Sequence, residues 1–454
     1  GIDRPVGGMN DYLMHLHTSG AYNRFRFAVS RKLSDWGLLN ESRRRSILRF
    51  NNSLKSLLTN QQNIFEGMNI RYFGPANGHD VIELVRVLRE IKEMKGPKLL
   101  HLHTVKGKGF KPAEEEATIW HAPGKFDAAT GCRVKSAHVA DRYQDVFGEV
   151  LTDLARVNAK VVGVTPAMAT GCGMITFAHE FPDRFFDVGI EEEHAVTFSA
   201  GMAAGGLKPF CNIYSSFSQR AYDEIIHDVA LQNLPVVLCF DRAGLVGEDG
   251  ATHNGCYDMA AYRSIPNAVI SAPRNEEELK NLMYTASLYK GGPFIIRYPR
   301  GCGEGVDWRN AEYRELEPGK GVCLRKGSGM AIIAAGPEAC RALEAADYIE
   351  ESTGISPSVY DIRYIKPIDV DILEEAAAEG CVLTVEEGCI KGGLFGAVAE
   401  YMASQGHQIV LDGLGIPDVY LSQDKQTSQR AECGLDKAGI AEKALFLLKN
   451  RKKV

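Results

Sequence analysis

The sequence predicts an α/β protein of three doubly wound parallel-sheet units, and three observations support this. The chain has 454 residues, and at about 150 residues per domain that length suggests roughly three domains. The hydrophobic class makes up 45% of the residues and the charged class 24%, which is typical of globular proteins. Short apolar segments alternate with helical patterns from residue 142 onward, and this alternation indicates parallel strands covered by helices.

The first unit opens its regular pattern with a turn and a helix-capping signal at Asn77-Gly78-His79-Asp80. A helix is predicted after it, since apolar residues recur there at helical spacing. These residues are Val81, Ile82, Leu84, Val85, Leu88 and Ile91. Gly96-Pro97 ends the helical region, and a short strand is predicted at residues 99–105.

The central and last units continue the alternation of strands and helices. Strands are predicted in the central unit at residues 161–165, 209–214, 236–241, 268–272 and 294–298. Helices are predicted near residues 194–204, 217–232 and 275–289. After a polar linker at residues 301–319, the last unit is predicted to hold strands at residues 330–335, 358–362, 382–386 and 408–412 and a final helix to residue 450.

Composition narrows the range of functions. The formal charge of -6 and the pI near 6.1 argue against bulk binding to nucleic acid or to anionic membranes. No apolar run approaches the roughly 20 residues of a membrane helix. The 11 cysteines occur singly and never as C-x-x-C, which disfavours zinc ribbons and redox pairs. We therefore expect free thiols in a reducing, cytoplasmic location.

Polar clusters follow several strands of the central unit, where doubly wound sheets bind their ligands. Residues 187–194 place Glu191, Glu192 and Glu193 beside a His at an apolar helix start. Complementation of the helix dipole accounts for one or two of these acids but less readily for the whole run. Residues 214–223 combine serines, aromatic residues and an Arg, and helix capping with core aromatics explains this cluster equally well.

Two more clusters carry arginines. Residues 241–255 follow a strand and form a glycine-rich loop with an Arg, three acids and a His. Such residues suit a binding loop, although surface loops also carry them. Arg297 and Arg300 lie around the end of a predicted strand. They suit bidentate binding of phosphate or carboxylate, and a surface salt bridge is the alternative. His121 lies in an irregular loop, where packing explains a polar ring less readily.

Taken together, these segments resemble the 1-deoxy-D-xylulose-5-phosphate synthase family, whose members are thiamine-diphosphate enzymes of the transketolase type. The resemblance covers essentially the whole chain, and the combination of motifs is specific although each motif alone is weak. The motifs are residues 74–80, 106–110, 121–127, 190–198, 214–223, 241–253 and 297–301. The family often has Asp at the position of Asn77 and Tyr at that of Phe110, and both departures look tolerable.

The resemblance implies decarboxylative condensation of pyruvate with glyceraldehyde 3-phosphate, which gives 1-deoxy-D-xylulose 5-phosphate and CO₂ for isoprenoid precursor synthesis. It implies that Glu192 binds the aminopyrimidine ring of thiamine diphosphate and drives its activation, with Phe217 and Phe110 as further cofactor contacts. His121 and His253 are implied as catalytic, proton-handling histidines. The implied substrate-binding residues are Tyr214, Arg220, Arg242, Asp249 and Arg297.

The family's Gly-Asp-Gly motif for the diphosphate and its Mg²⁺ does not occur in this sequence. Residues 2–9 resemble the segment that follows the metal-binding Asn of that motif. The resemblance therefore implies Mg²⁺ ligands outside this chain and an incomplete first domain at residues 1–139. A pyrimidine-binding domain is implied at residues 140–315 and a transketolase C-terminal domain at residues 316–454. Whether this chain turns over alone stays open.

Two alternatives to the synthase remain at this point. One is a non-catalytic scaffold or binding protein with the same fold, supported only by the missing diphosphate motif. The other is a sibling enzyme, either a transketolase or a 2-oxoacid dehydrogenase component, which the loops around His121 and His253 disfavour. The resemblance also implies a homodimer.

Overall fold

Two structural units, residues 1–134 and 135–454, make up the computed structural model. The structure describes residues 65, 68, 70–117, 119–121, 123–133 and 140–450. The resemblance assigned to residues 2–9 and most of the predicted first domain therefore lie outside the described residues.

The described part of the first unit contains a strand–helix–strand motif. Strand β1 (Arg71–Asn77) pairs in parallel with β2 (Lys98–His103), and helix α1 (Val81–Lys92) connects them. Asp80 caps α1 by accepting the backbone N–H of Glu83 at 3.0 Å. Strand β1 is not predicted from the sequence because Gly74-Pro75 is typical of turns, whereas the structure places that pair at a register shift within the strand. A short helix, α2 (Lys111–Glu115), follows.

The central sheet of the second unit has seven strands in the order β12-β7-β8-β6-β5-β3-β4. All of its pairings are parallel except the one between β12 and β7 at one edge. Its strands are β3 (Val161–Thr165), β4 (Phe185–Asp187), β5 (Lys208–Tyr214), β6 (Val237–Ala243), β7 (Val269–Ser271), β8 (Phe294–Pro299) and β12 (Tyr364–Lys366). The central strands are apolar and almost fully buried, as expected where helices cover both faces of a sheet.

Most helices around this sheet contribute buried apolar side chains to the core. In α3 (Tyr143–Val157), Val146, Phe147, Val150 and Leu151 are completely buried. Each such side chain contributes about 1.5–3 kcal/mol by leaving water. The remaining α-helices here are α4 (Ile175–Glu180), α5 (Glu192–Ala204), α6 (Tyr222–Glu224), α7 (Asp258–Tyr262) and α8 (Glu276–Leu288).

The helical pattern predicted for residues 217–232 is present but is not one α-helix. A 3₁₀ turn at Ser218–Ala221 leads into α6 and then into a π-helix at Ile225–Ala230. The hydroxyl of Ser218 donates to the carbonyl of Ser215 at 2.7 Å. A side chain that bonds the nearby backbone competes with regular helical hydrogen bonding, and this accounts for the tighter first turn.

The second sheet of this unit has five strands in the order β14-β13-β10-β11-β9, with β9 antiparallel at the edge. Its strands are β9 (Val322–Arg325), β10 (Ala331–Ala335), β11 (Ser358–Asp361), β13 (Cys381–Cys389) and β14 (Val410–Ile416). Its helices are α9 (Glu338–Thr353), α10 (Val370–Ala378), α11 (Leu394–Gln405), α12 (Gln426–Glu432) and α13 (Lys437–Asn450). The α/β fold class is confirmed, and the two antiparallel edge strands were not foreseen.

The two sheets are tied together where the chain passes between them. After β11 the chain leaves the five-stranded sheet and adds β12 to the edge of the seven-stranded one. At this junction Arg363 donates to Glu278 at 2.7 Å, and Arg274 bonds both Glu278 and Asp361. Within the described part of the chain, no helix is long and apolar enough to cross a membrane.

Candidate functional site

The candidate site lies at the carboxyl ends of the central strands. Strand β4 lies on one side of β3, and β5 lies on the other. Chain direction across the sheet therefore reverses at β3, and ligands of doubly wound sheets bind in the crevice that such a reversal opens. The loops after β4, β5, β6 and β8 carry most of the residues that the sequence singled out.

Glu192 is the first residue of α5 and is only 3% exposed. The loop before it is organised by Asp187, whose Oδ1 accepts the N–H groups of Ala167 and Gly189, both at 2.9 Å. Burial raises the pKa of Glu192, although its own backbone N–H and the charge of Arg220 oppose the rise. Such a carboxyl is suited to share a proton with a basic ring nitrogen.

Four of the predicted residues form one aromatic and cationic cluster. Tyr214 and Phe217 stack with their ring centroids 5.8 Å apart, and His253 meets Phe217 edge-on at 5.3 Å. The guanidinium of Arg242 lies 3.9 Å from the centre of the Tyr214 ring, a cation–π geometry. Phe217 and Arg220 also line a surface cleft. The structure therefore brings the loops after β5 and β6 together, as the sequence analysis expected.

Arg242 is held firmly at the end of β6. Its side chain donates to the carboxylate of Asp241 at 2.8 Å and to the carbonyl of Gly171 at 3.1 Å. Its backbone has φ of +59°, an unfavourable conformation for a residue with a side chain and one often found at functional sites. Burial raises the pKa of Asp241 to about 6. A Cβ on Gly171 would lie 1.9 Å from the Tyr214 hydroxyl, so a larger residue there would require the Tyr214 side chain to shift.

The two arginines at the end of β8 have different environments. Arg297 is 4% exposed, and it donates to Asp258 at 2.8 Å and to the carbonyl of Glu387 at 2.9 Å. Arg300 is one-third exposed and pairs with Asp249 at 3.1 Å. The geometry therefore gives Arg297 a structural position inside the protein and Arg300 the position beside a predicted substrate residue.

Strand length is the signal that distinguishes these arginines. Arg297 lies within β8, which is buried throughout, while Arg300 follows the last strand residue, Pro299. The apolar run predicts that this strand ends at residue 298, and the family resemblance implies a substrate-binding role for Arg297, the arginine inside the strand. A position just beyond a strand end favours ligand binding over one within the strand.

The two predicted residues in the first unit have local partners. Phe110 packs against Trp120 and Phe126, with ring centroids 4.9 and 5.9 Å away. The Nδ1 atom of His121 lies 2.9 Å from the amine of Lys106, within the K-G-x-G-F motif. These contacts order the segment around both residues.

The fit to thiamine diphosphate rests on residues of the second unit. Helix α5, which begins at Glu192, packs against the 3₁₀ turn that follows Phe217. A buried proton-sharing carboxyl near an aromatic ring suits an aminopyrimidine ring, which needs both a hydrogen-bond partner and a stacking surface. No group of His, Cys, Asp and Glu within the described residues is arranged to hold a metal ion.

Comparisons with protein families define the class of the protein. Residues 141–304 match the transketolase pyrimidine-binding domain, and residues 319–440 match the transketolase C-terminal domain. A split-gene transketolase, described as an inactive β4 tetramer, shares 29% identity and a TM-score of 0.61, covering 68% of this chain and 98% of that one. A Pichia stipitis transketolase at 19% identity, with a TM-score of 0.56 over 70% of this chain and 47% of its own, supports the fold alone. The chain is thus a transketolase-like, thiamine-diphosphate-dependent transferase.

More specific matches place it within that class. Residues 1–104 match the N-terminal model of 1-deoxy-D-xylulose-5-phosphate synthase. The 1-deoxy-D-xylulose-5-phosphate synthases of Phocaeicola vulgatus and Bacteroides fragilis are each 54% identical over 97% of this chain, which spans 70% and 68% of their lengths. That of Porphyromonas gingivalis is 50% identical over 96% of the chain and 69% of its own length. The chain belongs to the 1-deoxy-D-xylulose-5-phosphate synthase family, and the comparisons do not favour the scaffold or sibling-enzyme alternatives.

Proposed function

We propose that the cluster at the carboxyl ends of the central strands binds the pyrimidine end of thiamine diphosphate and condenses pyruvate with glyceraldehyde 3-phosphate. The products are 1-deoxy-D-xylulose 5-phosphate and CO₂. The observation that carries this proposal is the buried carboxyl of Glu192, whose pKa is raised, on a helix that packs beside the turn carrying Phe217 and Arg220. Family membership supplies the reaction, and the geometry supports the assignment of roles.

Thiamine diphosphate supplies the electron sink that makes loss of CO₂ from a 2-oxoacid feasible. Glu192 would hold the pyrimidine by sharing a proton between its carboxyl oxygen and a ring nitrogen, and its burial, which raises its pKa, would keep that proton shared. The ring of Phe217 offers a stacking face. Thr252 bonds Nδ1 of His253 at 2.8 Å, which fixes the ring orientation for proton transfer at Nε2.

The proposed substrate-binding set includes three positively charged side chains. Arg242, Arg220 and Arg300 are suited to the phosphate of the aldehyde substrate because guanidinium groups bind phosphate in bidentate geometry. Tyr214 and Asp249 complete the set, with Asp249 fixing Arg300 at 3.1 Å. We assign the phosphate contact to Arg300 instead of Arg297, since Arg297 is buried against Asp258.

The test is the variant Arg300→Met in enzyme loaded with thiamine diphosphate. We expect KM for glyceraldehyde 3-phosphate to rise about tenfold or more, the value of roughly one charge-assisted hydrogen bond, while KM for pyruvate changes less than about twofold. Arg156→Met is the matched control, because Arg156 is an exposed arginine paired with Glu180. Equal changes for both substrates would refute the phosphate assignment.

Further roles rest on the family resemblance. We propose that Phe110 contacts the cofactor, that His121 handles substrate protons and that Mg²⁺ accompanies the diphosphate, whose oxygens suit a hard cation. A homodimer is proposed on the same ground. The domain limits 1–139, 140–315 and 316–454 are proposed on the same ground, and the last segment also contains β12, which pairs with the seven-stranded sheet. All 11 cysteines are free thiols, which supports a cytoplasmic location.

A further inference from the structure

Residues 244–250, here called the substrate loop, lie against the C-terminal part of the second unit. The loop joins β6, which ends just after Arg242, to His253, and it carries Asp249. Gly247 has φ of +77°, and a Cβ there would lie 3.1 Å from the backbone nitrogen of Gln426. A residue with a side chain there would adopt a strained backbone conformation and crowd the start of α12, so the loop backbone lies close to that helix.

Two glutamines of α12 bond the backbone of the substrate loop. Gln429 is completely buried; its Oε1 accepts the N–H of Gly247 at 2.9 Å and its Nε2 donates to the carbonyl of Ser422 at 2.9 Å. Gln426 donates to the carbonyl of Leu245 at 2.7 Å and to that of Arg300 at 3.2 Å. One helix thus holds both the backbone of the loop that carries Asp249 and the backbone carbonyl of Arg300.

A carboxylate of β13 supports the same loop. Oε1 of Glu387 accepts the N–H of Leu245 at 2.8 Å, and Arg430 of α12 bonds Oε2 of Glu387 at 2.9 Å. Glu387 is 3% exposed, and buried charge-assisted hydrogen bonds of this kind are strong and directional. The substrate loop is consequently attached to β13 as well as to α12.

We propose that Gln429 and Gln426 are positioning residues for the phosphorylated substrate: by holding the backbone of the substrate loop, they set the place of Asp249 and Arg300. This inference rests on the proposed function of that pair. The last domain is therefore part of substrate selection. Because neither glutamine is assigned to the cofactor or to pyruvate, loss of either acts on one substrate.

The experiment compares Gln429→Met with the wild type, both loaded with thiamine diphosphate. Methionine keeps the volume of the side chain and removes its hydrogen bonds. KM for glyceraldehyde 3-phosphate is expected to rise about fivefold to twentyfold, as the loss of one or two hydrogen bonds predicts. KM for pyruvate and the affinity for thiamine diphosphate are expected to stay within about twofold. Equal changes in both KM values, or a fall in kcat alone, would overturn the proposal.

Two further variants keep the test decisive. Lys366→Met removes bonds from Lys366 to the carbonyls of Arg263 and Ile265, far from the substrate loop in sequence. The same KM change in Lys366→Met would mean that general loosening is the cause. If Gln429→Met does not fold, Gln426→Met takes its place, and an unchanged KM for the aldehyde there overturns the proposal.

A double-mutant cycle separates this inference from the proposed function. Gln429→Met combined with Arg300→Met is expected to be no worse than Arg300→Met alone, since both act through one contact. Additive effects would contradict positioning. If Arg300→Met itself leaves KM for the aldehyde unchanged, the substrate assignment fails, whatever Gln429→Met does. If only the glutamine variants are silent, the assignment stands and the positioning role fails.

Discussion

In the seven-stranded sheet, β5, β6 and β8 end at Tyr214, Ala243 and Pro299, and polar residues of the loops after β5 and β6, such as Arg220 and Thr252, line a surface cleft. In the five-stranded sheet, β13 ends in polar residues too, but Glu386 and Glu387 are buried there. Glu386 accepts two backbone N–H groups at the start of α11. The same architecture therefore presents polar strand ends for a ligand in one sheet and for internal hydrogen bonding in the other.

The two sheets differ in the exposure and the partners of the residues at their strand ends. Both sheets obey the same rule of parallel strands with helical connections, so the rule alone does not distinguish them. Exposure and the choice of partner do: Arg300 and His253 are partly exposed, while Glu387 is engaged by Arg430 and by the backbone of the substrate loop. Residues of the five-stranded sheet and its helices thus bond the backbone of the loop that carries Asp249.

The largest expected effect is at Glu192. Glu192→Gln retains size and polarity but removes the carboxyl that shares the cofactor proton. We expect kcat to fall at least about a thousandfold, within the usual range for loss of an acid–base group. Circular dichroism is expected to show an unchanged fold. Glu191→Gln, on the exposed residue next to it, is the control and should retain activity. Substantial turnover by Glu192→Gln would contradict the proposed activation role.

A smaller effect, on stability, distinguishes the two arginines of β8. Arg297→Met leaves the buried carboxylate of Asp258 without its guanidinium partner. Removing one partner of a buried ion pair costs about 3–5 kcal/mol. Arg300→Met, at a partly exposed position, should cost about 1 kcal/mol or less. Urea unfolding measures both free energies. Equal losses would mean that the assignment of Arg297 to the interior and Arg300 to the site is wrong.

The sequence predicted most strands of both sheets because their apolar runs are clear. Residues 161–165 were predicted as a strand and form β3 with the same limits. The sequence did not predict β12 (Tyr364–Lys366). These three residues belong by chain order to the last domain, but they pair with the central sheet. Local pattern holds no information about which sheet a short edge strand joins.

The site was predicted unevenly for a related reason. Tyr214, Phe217, Arg242 and His253 were expected to share a site, and the structure brings them together. The choice between Arg297 and Arg300 requires knowing which of them is buried. Arg297 is buried against Asp258, which is 39 residues away in the sequence, so the local sequence does not reveal this. Gln429, 182 residues from its loop partner Gly247, gave no motif signal, because long-range packing and not its local sequence defines its environment.

The smallest expected effect is the pH dependence of stability at Glu338, the first residue of α9, which is completely buried. Desolvation raises the pKa of Glu338 from 4.5 to about 7; Arg341 and Arg430 oppose the rise, and the charge of Glu387 adds to it. The native state therefore holds this proton more tightly than the unfolded state. The stability it provides is full below about pH 4.5 and is lost as the pH rises through about 7.

Between pH 5 and pH 8, this one group should lower the free energy of unfolding by on the order of 2 kcal/mol. Glu338→Gln resembles the protonated form and should flatten that part of the profile, whereas Glu344→Gln on the exposed face of α9 should leave it unchanged. Urea unfolding across the pH range measures the free energy of unfolding of each variant. Taking the difference between variants cancels the contributions of Asp241 and Glu386, whose pKa values are also raised. If wild type and Glu338→Gln show the same slope, the pKa of Glu338 is not raised and its carboxyl group is ionised at neutral pH. The contrast between the exposed strand ends of the seven-stranded sheet and the buried strand ends of the five-stranded sheet would then need another physical basis.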